Sequence, residues 1–239
     1  MRGFTLIELS IWLAIAGLLV GGVIGGANIR KAAQNRSLIA WVESYENAIE
    51  RFHERFKYMP GDFPLADTYW TGGVTANGDG DWRVEESAET LRSWQHLSLA
   101  REIETNFTGV PSPTRIIPGQ NVPVAPLGNG DIVYSFLTHS TAIYNFTGHS
   151  IDVARINSPD TDSVAHFGFF TASDAENIDK KADDGLASSG YIYASWGDDF
   201  STSSCVNNSI ASSSATYQPN NKTSSCRLHF WQERRHSSE

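Results

Sequence analysis

Cysteine, proline and positive charge are all scarce in this sequence. Its 239 residues include two cysteines, nine prolines, and 18 Lys or Arg against 27 Asp or Glu, for a formal net charge of −9. With no Cys-x-x-Cys pair, the sequence argues against a structural zinc site. The acidic balance argues against nucleic-acid binding by the domain as a whole.

The short motifs of common enzyme classes are missing as well. The sequence has no Gly-x-Ser-x-Gly, no Gly-rich phosphate loop followed by Lys, and no His-Glu-x-x-His. We therefore expect that the chain is not an enzyme. The seven histidines are scattered, and we interpret His96, which lies inside a predicted helix, as a packed or capped histidine rather than a catalytic base.

Charge is absent altogether from residues 9–29. A helix of this length is about 31 Å long, which matches a bilayer core of about 30 Å, so we predict a membrane-spanning helix. A cleaved signal peptide is a poorer interpretation, because Arg2 is the only early base, the uncharged run is long and no clean Ala-x-Ala site follows. A plain anchor fits the length but leaves the carboxylate of Glu8, at the start of the run, unexplained.

The residues from Gly3 to Glu8 read Gly-Phe-Thr-Leu-Ile-Glu, and this string resembles the processing site of type IV prepilins and type II secretion pseudopilins. The resemblance implies that a prepilin peptidase cleaves between Gly3 and Phe4 and methylates the new amino group of Phe4. It implies a leader of residues 1–3, a transmembrane and assembly helix of residues 4–29, and other pilin subunits as partners. In a filament, Glu8 would pair with the α-amino group of a neighbour's Phe4, because a buried charge is tolerated when it is paired.

The resemblance also implies a location. The chain would lie in the bacterial inner membrane as a single-pass protein with its head in the periplasm, and would then join a pilus or pseudopilus. Arg30, Lys31 and Arg36 follow the span, against Arg2 before it, which favours the opposite orientation under the positive-inside tendency; the processing motif and the cysteine pair outweigh this bias. The alternative is a membrane-anchored periplasmic binding or catalytic domain that does not polymerise.

Small residues recur within the span. Gly17, Gly21 and Gly25 are four residues apart, and Gly22 and Gly26 repeat that spacing. Such spacing allows close packing of membrane helices, whereas each glycine also weakens a helix by up to about 1 kcal/mol relative to alanine. The span is therefore either a packing face or a stretch that can partly unwind.

An apolar stripe continues beyond the span and predicts one long helix. Its members are Leu38, Trp41, Tyr45, Ile49, Phe52 and Phe56. No proline precedes Pro60, so we predict that residues 30–59 form the soluble half of a spine helix, which Pro60 and Gly61 end. Residues 60–239 then form a globular head.

The predicted fold class is α+β and pilin-like, with the long N-terminal helix packed on a small antiparallel β-sheet in the head. A second helix is expected from Ala88 to Glu104. Strands are expected at Asp131–Leu137, Val164–Phe170 and Gly190–Ala194, where β-branched and aromatic residues concentrate.

The two cysteines enclose a stretch rich in Ser and Asn near the C-terminus. In an oxidising compartment beyond a membrane helix, we predict a disulfide between Cys205 and Cys226, the alternative being two separate thiols. Closing a loop of this size is worth about 3 kcal/mol in the chain-entropy model.

One loop alternates oxygen-bearing side chains with glycine, a pattern that suits a hard cation such as calcium. The candidate calcium ligands are Asn77, Asp79, Asp81 and Glu85. The first three match alternate positions of an EF-hand loop, but Trp82 replaces its glycine and Ala88 stands where its bidentate Glu belongs. Glu86 or Glu89 could close a site of another shape, and an ordinary Asn/Asp/Gly turn is the alternative.

A second acidic segment, Ala182-Asp183-Asp184-Gly185, follows Asp174 and Asp179. Acidic residues beside glycine are common in turns because their side chains bond the local backbone. We interpret the segment as a structural turn that locks the sheet rather than as a ligand site.

Overall fold

The computed structural model describes residues 5–84, 87–110, 116–127, 132–138, 148–155, 167–197, 204–207 and 214–231. The chain is an α+β protein with a long apolar N-terminal helix and a small antiparallel sheet, as predicted. Its helices are α1 (Leu6–Phe56), α2 (Ala66–Tyr69), α3 (Ser87–Leu99) and α4 (Ala172–Ala182). Its strands are β1 (Ile132–Thr138), β2 (His149–Arg155), β3 (Phe170–Thr171), β4 (Ile192–Trp196) and β5 (Ser224–Trp231).

Helix α1 joins the predicted span and spine in one element of 51 residues, which makes it about 77 Å long. Its second half packs on the head through the buried side chains Leu38, Val42, Ile49 and Phe52. Three predicted members of the stripe are only partly buried at the edges of this face: Trp41, Tyr45 and Phe56. The stripe is therefore confirmed as the core-facing side of the helix.

The end of α1 differs from the prediction by three residues. The helix stops at Phe56, because Lys57 adopts the left-handed conformation with φ +61° and its N–H donates to the His53 carbonyl at 2.8 Å. This backbone cap ends the helix before Pro60 can. Helix α3 likewise stops at Leu99, five residues before the predicted Glu104.

Strand β5 is the centre of the sheet. Its Phe230 pairs with both β2 and β4, and its Cys226 pairs with both β3 and β4, so β2 and β3 lie on one side of it and β4 lies on the other. Strand β1 extends the sheet beyond β2, and every pair is antiparallel. Phe230 of β5 lies opposite Ile151 of β2 and Ile192 of β4. These side chains belong to the core that α1, α3 and α4 also fill.

The strand predictions hold for two segments and fail for a third. Strand β1 begins one residue later than the predicted segment Asp131–Leu137, and β4 begins two residues later than the predicted segment Gly190–Ala194. In the third segment, residues 164–166 lie outside the described residues and the strand occupies only Phe170–Thr171. Strands β2 and β5 and helix α4 were not predicted.

Candidate functional site

The first half of α1 is an apolar helix with no protein around it. The 18 residues Leu6–Val23 have a mean hydropathy of 2.1, and none of them is buried. Among the residues that the structure describes, this is the one helix long and apolar enough to cross a membrane. The helix is therefore a candidate membrane span by its length and composition.

The helix begins at a capping box formed by Thr5 and Glu8. The Thr5 N–H donates to Glu8 Oε2 at 2.9 Å, and the Glu8 N–H donates to Thr5 Oγ1 at 3.3 Å. The Thr5 hydroxyl also donates to Glu8 Oε2, at 2.8 Å. A carboxylate in the first turn satisfies free N–H groups and complements the helix dipole. Glu8 therefore has a local role in starting the helix, whatever it does in an assembly.

The predicted processing residues Gly3 and Phe4 lie outside the described residues. The described chain begins at Thr5, which is extended (φ −80°, ψ 151°), and the helix begins at Leu6. The predicted cleavage point therefore lies two residues before the first helical residue. Cleavage between Gly3 and Phe4, and methylation of Phe4, stay predictions.

The disulfide prediction is confirmed. Cys205 and Cys226 are bonded and fully buried, 21 positions apart along the chain. Cys226 belongs to the central strand β5, and Val206 next to Cys205 bridges to Tyr217. The bond therefore fixes the segment 204–207 to the middle of the sheet.

Three carboxylates come together where the end of the spine meets α3. Asp62, Asp79 and Glu89 each place an oxygen within 4.8 Å of the others. Asp62 is fully buried; its oxygens accept the N–H of Gly80 at 2.6 Å and of Trp82 at 2.9 Å. Burial raises the pKa of Asp62 to about 6, against the lowering effect of these two hydrogen bonds.

The predicted calcium ligands do not all face one point. Asn77 Oδ1 accepts the N–H of Asp67 and Asp81 Oδ1 accepts the N–H of Arg83, each at 2.9 Å. Glu85 lies outside the described residues. Asp79 is the one predicted ligand in the carboxylate group.

The new member of the group, Asp62, escaped sequence reasoning because it lies well before the loop in the chain, whereas Glu89 was a named alternative. Carboxylate oxygens suit calcium, but both Asp62 oxygens already accept backbone N–H groups. Calcium binding stays a prediction.

The second acidic segment forms a turn, as predicted. Asp183 Oδ2 accepts the N–H groups of Tyr191 and Ile192, the latter at 2.8 Å. Asp184 Oδ1 accepts the N–H of Leu186 at 2.8 Å. Gly190 is required here, because its φ is +77° and a Cβ would stand 1.9 Å from Asp183 Oδ2. These bonds attach the start of β4 to the end of α4.

Asp179 is buried beneath this turn. Its Oδ2 accepts the hydroxyl of Tyr217 at 2.7 Å and its Oδ1 accepts the N–H of Gly185 at 3.0 Å. Burial raises the pKa of Asp179 to about 7, and the nearby charges of Asp183 and Asp184 add to the rise. Burial also raises the pKa of Tyr217 well above 10, so its hydroxyl stays protonated.

A row of polar side chains crosses the other face of the sheet. Ser195 Oγ lies 2.8 Å from His229 Nε2, and His229 Nδ1 lies 2.6 Å from Asp152 Oδ1. Arg227 Nε donates to Ser195 Oγ at 2.6 Å. The order resembles a catalytic Ser-His-Asp arrangement. However, Ser195, His229 and Asp152 are fully buried, so no substrate can reach the hydroxyl in this conformation.

His96 is the packed histidine that the sequence predicts. It is fully buried, and its Nδ1 accepts the N–H of Gly61 at 3.0 Å. Its ring stacks on Phe52 at 6.2 Å between ring centroids. Burial lowers the pKa of His96 to about 3, so the ring is neutral and serves to join α3 to the turn after α1.

Comparison with protein-family models, curated proteins and solved structures finds no match to this chain. The resemblance to prepilins therefore rests on the N-terminal string and on the apolar helix behind it. The candidate functional site is therefore the apolar helix Leu6–Val23, with Glu8 in its first turn.

Proposed function

We propose that the chain is a type IV pilin-like subunit. A prepilin peptidase cleaves it between Gly3 and Phe4 and methylates Phe4, and the mature subunit leaves the inner membrane to join a pilus or pseudopilus. The observation that supports the proposal is the exposed apolar helix Leu6–Val23, whose one charged side chain is Glu8 at its start.

The physics of assembly follows from that helix. As long as the subunit waits in the membrane, lipid covers the apolar surface. In a filament, the corresponding helices of neighbouring subunits cover it instead. Removing Glu8 from water then requires an opposite charge nearby, since an unpaired buried charge is strongly destabilising. The α-amino group of a neighbour's Phe4 would supply that charge at the correct end of the helix.

The disulfide supports the proposed location of the head. Structural disulfides form and persist in oxidising compartments such as the periplasm, and the Cys205–Cys226 bond is buried in the head. This orientation places the head on the periplasmic side of the inner membrane and the leader on the cytoplasmic side.

Substitutions at Glu8 distinguish an assembling subunit from a plain anchor. Glu8→Gln keeps an oxygen that can complete the capping box but removes the charge, whereas Glu8→Ala removes both. An assembling subunit is expected to lose incorporation into filaments in both variants. Thr5→Ser is the matched control, because it keeps the cap and the charge.

The result that would contradict the proposal is normal filament incorporation of Glu8→Gln. In that case Glu8 would act only as a helix cap, and the anchored, non-polymerising domain would be the better interpretation. Mass spectrometry of the N-terminal peptide from native membranes tests the processing step independently. A chain that begins at N-methylated Phe4 is expected, and one that begins at Met1 would refute cleavage.

A further inference from the structure

Three cations encircle α1 immediately after its charge-free stretch. Arg30, Lys31 and Arg36 are all exposed, and no acidic residue occurs between Glu8 and Glu43. Lys31 forms an ion pair with Asp174 at 2.5 Å. Arg30 and Arg36 form no ion pair with any side chain in the described parts of the chain. We call these three residues the basic collar.

The basic collar surrounds the helix rather than marking one face. At 3.6 residues per turn, Lys31 and Arg36 lie about 100° and about 240° around the helix axis from Arg30. Lys31 faces Asp174 of the head, so Arg30 and Arg36, about 120° apart on the helix, are the cations left for the headgroup layer around it.

The axial position of the collar also matches a membrane surface. Arg30 lies 22 residues after Glu8, which is about 33 Å along the helix and close to the bilayer core of about 30 Å. With Glu8 at one edge of the core, Arg30 and Lys31 enter the headgroup layer on the other side. Arg36 is about 9 Å further along, about 5 Å outside that layer, and its long side chain can extend back to the phosphates.

We infer that the basic collar is a binding site for the anionic headgroups of phospholipids in the leaflet that faces the head. The inference rests on membrane insertion, one part of the proposed function, and does not need assembly. Phosphate oxygens of phosphatidylglycerol-type lipids are the complementary partners of guanidinium groups. The collar also gives a reason for cations on a side that the positive-inside tendency disfavours.

The test measures which lipids surround the full-length protein. The chain is reconstituted in phosphatidylcholine bilayers with traces of spin-labelled phosphatidylglycerol or spin-labelled phosphatidylcholine. Electron spin resonance then gives the relative association of each labelled lipid with the protein. Arg30→Gln/Arg36→Gln removes the two cations that have no described ion pair and leaves the Lys31–Asp174 contact in place. The control Lys57→Gln/Lys222→Gln removes two exposed cations from the head end of α1 and from the head.

A severalfold preference of the wild-type chain for phosphatidylglycerol is expected, since each cation beside an anionic surface is worth about fivefold in association. The preference should appear at about 0.1 M salt and vanish at about 1 M salt, where the Debye length falls to about 3 Å. It should also vanish in Arg30→Gln/Arg36→Gln and persist in the control.

Equal association of the two lipids with the wild-type chain would overturn the inference. A preference for phosphatidylglycerol that survives in Arg30→Gln/Arg36→Gln would also overturn it. A third contradicting result is that Arg30→Gln/Arg36→Gln loses cross-links between subunits while its lipid association is unchanged, because the cations would then bind a neighbouring subunit. Alkaline extraction of the bilayers distinguishes a failure of the lipid-binding inference from a failure of the proposed membrane insertion. A chain that is washed out never spanned the bilayer, whereas one that stays without lipid preference contradicts the collar alone.

Discussion

Replacing Asp179 by asparagine is expected to stabilise the chain at neutral and alkaline pH. The buried carboxyl has a pKa of about 7, against 3.8 for the ordinary group. The folded chain therefore holds a proton that the unfolded chain releases between about pH 4 and 7. Stability is lost as pH rises through that window, because the unfolded state binds fewer protons there.

The magnitude follows from the two pKa values. At about 1.36 kcal/mol per pH unit, the difference corresponds to about 4 kcal/mol of lost stability above pH 7. The asparagine side chain in the Asp179→Asn variant would resemble the protonated acid: its oxygen can accept the N–H of Gly185, and its amide can donate to the Tyr217 hydroxyl. The variant should therefore gain about 2–4 kcal/mol over the wild type at pH 8 and almost nothing at pH 4.

The assay is thermal unfolding of the full chain in mild detergent, followed by tryptophan fluorescence between pH 4 and pH 8. Asp81→Asn is the control, since it makes the same chemical change at an exposed site and should leave the pH profile unchanged. Asp62 has a pKa of about 6, so the stability of every variant should still fall as pH rises toward 6. An Asp179→Asn chain with the wild-type slope between pH 6 and 7, or with lower stability at pH 8, would refute the reasoning.

Three further predictions concern the disulfide, the buried polar row and the carboxylate group. Reduction of the Cys205–Cys226 bond should lower the free energy of unfolding by about 3 kcal/mol, measured by denaturant unfolding with and without dithiothreitol; an unchanged midpoint would contradict it. His229→Leu should cost about 3–5 kcal/mol in the same assay, because the buried carboxyl of Asp152 loses its hydrogen-bonded partner; a loss below about 1 kcal/mol would contradict it. Titration of Ca²⁺ into the full chain should release heat that Asp79→Asn abolishes, and the absence of heat would refute calcium binding.

The long helix was predictable because two independent signals agree over its length. An uncharged run of membrane length passes into a stripe with helical period, and no proline interrupts either. Its end was harder to predict, because Lys57 adopts the left-handed cap conformation that usually belongs to glycine. A lysine at that position gives no signal in the sequence.

Strands β2 and β5 were predictable from their sequences, although the burial of both of their faces was not. The outward positions of a strand are normally polar and exposed, but here Asp152 and His229 are fully buried and bonded to each other. Both segments alternate polar and apolar residues: Ile151 and Val153 flank Asp152, and Cys226, Leu228 and Phe230 alternate with Ser225, Arg227 and His229. This period of two is the pattern that predicts a strand. Asp62 was missed for a different reason, because it joins Asp79 and Glu89 only through tertiary packing.

Contacts between the second half of α1 and the head restrict which parts of the chain can move relative to each other. Polar contacts tie the helix to the head from Lys31 onward: Lys31–Asp174, Glu46–Tyr191 and Arg51–Glu102. Residues 31–56 and the head are therefore expected to move as one unit in the proposed transfer from bilayer to filament. A change within the helix is expected in its exposed first half, which contacts no described part of the head. A Cβ at Gly17, Gly21, Gly22 or Gly26 would meet no described atom within 4 Å. Packing within the single chain does not require these glycines, and a role in contacts with neighbouring helices or in local unwinding stays a prediction.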